Sequence, residues 1–257
     1  MKTRRQIVYM SIFSIAAALA VTFMAGCRPA AATGEGNAAA SDKPATAGAV
    51  PGHWTMDFDA AKTLAAETGL PLFLNFTGSD WCGWCRLMDK QVFSTPAWQT
   101  YAKEHLILVW IDFPKDKSLV PDMFRKRNDD LMREFGVGGY PTYILLDADG
   151  QTLLGQTGAA QNITPEAFIA TLEEILLTSD KSVAALRALL SEPDQARLDD
   201  SRAALAKAQK KLEDWIQTNP AENEENMALF TGMRQTITQT QSDVLDLLKT
   251  ARGSPRQ

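Results

Sequence analysis

The sequence predicts an α/β fold, a sheet covered by helices, that continues into an α-helical hairpin at its C-terminus. Three observations predict it. Two short runs, residues 72–76, apolar but for Asn75, and the more continuously apolar 106–113, have the length and side chains of buried strands. They alternate with stretches whose apolar residues recur at helical spacing behind capping residues. Beyond about Ser179 the chain turns charged and rich in Ala and Leu, with a leucine every seven residues and no strand signal.

A chain of 257 residues has room for one or two domains and a sizeable core. Its formal charge is -5, and no Lys/Arg block interleaves with aromatics, so nucleic acid is excluded as a partner. Cys27, Cys82 and Cys85 are the only cysteines, too few to staple a scaffold, so each needs a chemical explanation.

The first residues read as an export signal. Lys2, Arg4 and Arg5 form a basic start and residues 7–23 an apolar stretch. Met24-Ala25-Gly26-Cys27 then resembles a bacterial lipobox, which implies that residues 1–26 are a lipoprotein signal peptide and that Cys27 carries the lipid. The alternative is an uncleaved membrane helix of about 19 apolar residues. Both readings put the remainder outside the cytoplasm, facing the periplasm or the cell exterior. Arg28 stands where Asp would retain a lipoprotein at the inner membrane, which points to the outer one. Residues 27–50 are mostly Ala, Gly, Ser, Thr and Pro, too poor in large apolar side chains to fold, and read as a flexible tether reaching about 25–30 Å.

A central domain is expected over residues 51–178. Asp57 caps a helix bearing Phe58, Ala61, Leu64 and Ala65, stopped by Gly69 and Pro71. Residues 72–76 form a buried strand and residues 82–92 a helix. Pro96 suits the first turn of the next helix, which runs through Tyr101. Residues 106–113 are too continuously apolar for a half-exposed strand and are expected at the sheet's centre. A helix through Leu131, Met132 and Phe135 follows. Residues 143–146 and 152–154 then pair as a hairpin across Asp147-Ala148-Asp149-Gly150. Thr164-Pro165-Glu166 opens a last helix carrying Phe168, Ile169, Leu172, Ile175 and Leu176.

The chemistry concentrates in Phe76-Thr77-Gly78-Ser79-Asp80-Trp81-Cys82-Gly83-Trp84-Cys85-Arg86. A cysteine in the first turn of a helix meets free backbone N–H groups and the positive end of the macrodipole, so its thiolate is stabilised. Cys85, one turn on, is placed to close a disulfide with it. The stretch reads as a reversible dithiol/disulfide centre. Half of a zinc site is the alternative, but no second cysteine pair exists, and His53 and His105 read as surface residues, so no metal is expected.

Together with Phe135-Gly136-Val137-Gly138-Gly139-Tyr140-Pro141-Thr142, this stretch makes residues 53–178 resemble the thioredoxin superfamily, and within it exported bacterial members. The resemblance implies a thioredoxin-like fold, a central mixed sheet flanked by helices. It implies that Cys82 attacks a substrate disulfide and Cys85 resolves the mixed disulfide. Pro141 would be cis and lie beside the sulfurs, while the Tyr140 backbone would pair with an extended substrate segment. Trp81, Gly83 and Trp84 would give substrate an apolar contact surface, and Arg86 would tune the thiolate. The Gly83-Trp84 pair carries no histidine to make the disulfide more oxidising, which favours a protein-disulfide reductase over an oxidase or isomerase. Asn75 takes the place of the family's buried Asp, so water, Asp80 or Asp112 must take the proton from Cys85, or resolution is slow. Asp112 also reads as a cap at its strand's end.

Residues 179–257 read as a helical hairpin. Leu198, Leu205 and Leu212 line one helix; after Asn219-Pro220, Phe230, Met233, Ile237, Thr240, Val244 and Leu247 line the other. The seam packs on itself or on the central domain, or serves as a partner or homodimer interface. The expected function is a membrane-tethered thiol:disulfide oxidoreductase without cofactor. Its substrates would be cysteine-containing exported proteins, and a membrane redox partner would donate electrons. A non-catalytic adaptor using the hairpin is the alternative.

Overall fold

The computed structural model describes residues 43–253. The signal segment, Cys27 and most of the expected tether lie outside the described residues. Part of the segment expected as tether meets the sheet. Ala45 bridges Thr55 in parallel, Met56 N–H donates to the Ala45 carbonyl at 2.7 Å, and Gly48 N–H donates to the Asp57 carboxylate at 3.1 Å. Small side chains let this backbone lie against the sheet edge, which composition alone reads as linker.

The sheet has five strands: β1 (Trp54–Thr55), β2 (Leu72–Thr77), β3 (Ile107–Asp112), β4 (Thr142–Leu146) and β5 (Leu153–Gly158), in the order β1-β3-β2-β4-β5. The pairs β1–β3 and β3–β2 are parallel, while β2–β4 and β4–β5 are antiparallel, so the sheet is mixed. β2, not β3, is central, and all six of its residues are buried. β3 is interior as its apolar run requires, but its outer neighbour is only the two-residue β1. β5 runs past Leu154 through Gly155-Gln156-Thr157-Gly158, where ladder bonds to β4 replace the apolar signal.

Helices α1 (Phe58–Thr68), α2 (Gly83–Met88), α3 (Pro96–His105), α4 (Asp122–Glu134) and α5 (Pro165–Leu177) cover both faces. On one face Leu72, Leu74 and Phe76 of β2 pack with α1 and α4 through Phe58, Ala61, Ala65 and Leu131. On the other, Phe73 meets Met88, Trp98 and Phe168 from α2, α3 and α5. Asp57, Thr95 and Thr164 cap α1, α3 and α5 by accepting backbone N–H groups, and Gly69 ends α1 in the left-handed region at φ 72°. Asp57, Gly69 and Thr164-Pro165 are the signals that placed α1 and α5 in the sequence, while α3 was placed by Pro96, its first residue.

Beyond the sheet lie α6 (Asp180–Arg187), α7 (Glu192–Gln217) and α8 (Glu224–Gly253). α7 and α8 form the antiparallel hairpin; α6, too short to show a repeat, was not foreseen. Leu198 of α7 and Val244, Leu245, Leu247 and Leu248 of α8 pack with Leu177 and Val183, so the hairpin's near end sits on α5 and α6. Lys249–Glu174 at 2.8 Å and Arg252–Glu173 at 3.7 Å add ion pairs there. At the far end Met227 and Leu229 are exposed.

Candidate dithiol site

β2 delivers the chain to a four-residue loop, Gly78-Ser79-Asp80-Trp81, and Cys82 follows as the N-cap of α2. Cys82 and Cys85 are joined in a disulfide with Cα atoms 5.2 Å apart. The Cys82 sulfur accepts the backbone N–H of Cys85 at 3.1 Å. A polar contact of this kind stabilises a thiolate at the same atom once the disulfide is reduced. Both cysteines are about equally buried, 5% and 6% exposed, so access alone does not separate their roles. α2 does not run as a regular helix to Val92. After Met88 it widens into one π-turn, Asp89–Phe93, closed by Ser94 N–H on the Asp89 carbonyl at 2.8 Å.

The expected contact residues gather around this end of α2. Trp81 is 39% and Trp84 44% exposed, and Gly83 has open space where a Cβ would stand. The Tyr140–Pro141 peptide is cis, and Pro141 is buried. The Tyr140 ring lies edge-on to Trp81, centroids 5.6 Å apart, and 5.3 Å from Phe113. Its hydroxyl reaches the Met132 sulfur at 3.2 Å. Burial pushes the Tyr140 pKa up, so the phenol stays neutral. Arg86 donates to the Asp80 carbonyl at 3.0 Å, which fixes its guanidinium to the loop two residues before Cys82.

The two carboxylates that could serve as bases are held by the loop instead. Asp112, buried at the end of β3, accepts the Ser79 N–H at 2.9 Å and the Ser79 hydroxyl at 2.5 Å. It caps the loop, as its place at a strand end suggests. Asp80 accepts the N–H groups of Asp116 and Lys115, both at 2.9 Å, and these bonds lower its pKa, which makes it a poor base. Asn75 sits on β2, two residues from Phe73 and so on the same face, and is 2% exposed. Its Oδ1 finds no hydrogen-bond partner among the described residues, nor does the hydroxyl of Tyr143, its cross-strand neighbour.

Sequence reasoning missed the second half of this site, the loop after β3. Trp81 Nε1 donates to the Phe113 carbonyl at 2.8 Å, and Phe113 N–H to the Thr77 carbonyl at 2.9 Å. Asn128, buried on α4, donates to the Asp112 carbonyl at 3.1 Å; its own oxygen accepts Arg127, which also reaches the Met56 carbonyl at 2.7 Å. One signal was available. Phe124, Asn128 and Leu131 share a helical face, so Asn128 is a polar residue at a core position.

Residues 58–176 match a family model described as a thioredoxin-like domain. The chain is 39% identical over 83 residues to the disulfide bond reductase DsbH of Chlamydia pneumoniae, covering 32% of this chain and 49% of that protein. It is 30% identical over 93 residues to the thioredoxin-related protein DsbJ of Chlamydia pneumoniae, covering 36% of this chain and 26% of that protein. The chain thus spans about half the length of one curated relative and about a quarter of the other. Among solved structures, a DsbH oxidoreductase is 27% identical, with a TM-score of 0.45 over 56% of this chain and 96% of that one.

Proposed function

We propose that this chain, a member of the thioredoxin superfamily through residues 58–176, is an exported thiol:disulfide oxidoreductase that reduces disulfides of exported proteins. The observation that carries the reading is the Cys82–Cys85 disulfide, with the Cys82 sulfur on the Cys85 N–H between two exposed tryptophans. The Cys82 thiolate attacks a substrate S–S bond, forming a mixed disulfide and releasing one substrate thiolate. The Cys85 thiolate then attacks the Cys82 sulfur, which forms Cys82–Cys85 and releases the second thiolate. Two electrons pass from the dithiol to the substrate. The reducing direction is supported by the absence of a histidine between the cysteines and by the reductase named among the relatives.

An exported dithiol must be reduced again in an oxidising setting, so a membrane redox partner donates the electrons. The lipid on Cys27 and the chain after it hold the domain at the membrane, within reach of that donor. Residues 1–26, the tether ahead of the domain and the helices beyond residue 178 serve export, reach and partner or self-association in turn. Cys82→Ser is expected to abolish insulin reduction, and Cys85→Ser to accumulate mixed disulfides. Full activity of Cys82→Ser overturns the proposal. A reduction potential well below the isomerase value of about -180 mV fits a reductase, and one at or above it reverses the direction.

A further inference from the structure

We propose that Asp112 and Asp80 are positioning residues of the dithiol, which bolt the loop before Cys82 to the loop after β3 and so fix the Cys82 sulfur against the Cys85 N–H. The inference rests on the dithiol reading above. Three consecutive loop residues are tied in three different ways. Ser79 gives its N–H and hydroxyl to Asp112, the Asp80 carboxylate takes two N–H groups of the opposite loop, and the Trp81 indole N–H reaches the Phe113 carbonyl. A Cβ at Gly78 would lie 2.4 Å from the Trp81 ring, so that ring lies flat on the loop's first residue. The Cys82 N–H donates to the Gly78 carbonyl at 2.8 Å, which passes the loop's shape to the cysteine itself.

The choice of groups separates positioning from mere loop closure. A carboxylate is costly to bury, and Asp112 is met by neutral donors from Ser79 with no ion pair among the described residues. Apolar side chains would close the same loop at lower cost but without direction. Two hydrogen bonds from one residue to one carboxylate fix orientation as well as distance.

The test follows iodoacetamide alkylation of the reduced full chain across pH, together with insulin-reduction kinetics and thermal melting. Ser79→Ala is expected to slow alkylation at pH 7 about tenfold, moving the Cys82 titration toward the free-thiol value of about 8.5, and to lower kcat more than it raises KM. Ser79→Thr keeps the hydroxyl and is expected to restore both. Thr95→Ala removes the cap of α3, a comparable local loss away from the loop, and is expected to leave both unchanged. If Ser79→Ala melts earlier but keeps the wild-type titration and kcat, the clamp is structural and the inference is wrong. If wild-type Cys82 itself titrates as a free thiol and reduces nothing, the dithiol reading falls and takes this inference with it.

Discussion

The sheet domain and the C-terminal hairpin are both rich in apolar residues, yet they bury them in different ways. In the domain every residue of β2 is buried, and each face has its own cluster of side chains from several elements. Along the 26 residues of α7 only Leu198 and Leu212 are buried, because two helices can cover just one seam of each other. The difference teaches where a directional site can be built. A loop held in one orientation needs a packed support, and the polar clamp ahead of Cys82 stands on the ends of β2 and β3, two interior strands. The hairpin has the repeat but not the enclosure.

Phe73 is where breaking the comparison should cost most. Its ring lies within 5.3 Å of Trp98 and Tyr143 and about 6 Å from Trp54, Phe93 and Phe168. Phe73→Ala is expected to cost about 3–5 kcal/mol in urea denaturation. In the hairpin, Leu248→Ala removes a fully buried side chain from the cluster that seats α8 and is expected to cost about 2–4 kcal/mol. Leu229→Ala at the exposed far end is expected to stay within about 0.5 kcal/mol of wild type. A Leu229→Ala loss as large as that of Leu248→Ala would show that the far end is buried in solution and erase the contrast.

How far each region could be read from sequence follows the same physics. Periodicity and end signals report local conformation, so Asp57, Pro96, Thr164 and the leucine seam placed their helices within a few residues. The Cys-x-x-Cys stretch and Tyr140-Pro141 carry their chemistry in residue type, and their side chains do gather at one end of the sheet. Three features were out of reach. β1 has two residues and exists only because β3 offers it an edge. The π-turn after Met88 depends on how α2 meets the sheet rather than on any residue in it. The clamp joins residues 33 to 36 positions apart, a pairing set by the parallel register of β2 and β3, so Asp112 could be read as a strand-end cap but its partner Ser79 could not, and Asp80 looked like a spare carboxylate when it anchors the opposite loop.

The smallest effect offers the finest comparison, between an acid of the site and an acid of the hairpin. Asp80 and Asp199 are both exposed and both have pKa values lowered from the ordinary aspartate value of 3.8. Backbone N–H groups of Asp116 and Lys115 lower the first, and the Arg187 guanidinium lowers the second. The sign is the same for both. A depressed folded-state pKa means that the stabilisation is complete above the unfolded value and fades as pH falls through the folded one. The amide signals of Lys115 and Asp116 are therefore expected to hold steady from neutral pH down to about 4 and to shift only below that, as Asp80 protonates. Salt should separate the two acids. Mobile ions weaken an exposed ion pair but leave short hydrogen bonds to neutral N–H groups largely intact, since at about 1 M the screening length is near 3 Å. Carboxyl titration by NMR is expected to show Asp199 moving toward the ordinary value in high salt while Asp80 stays depressed. Equal movement of the two would mean that Asp80 is held by charge rather than by loop geometry, and the site would then be no more directional than the hairpin's surface.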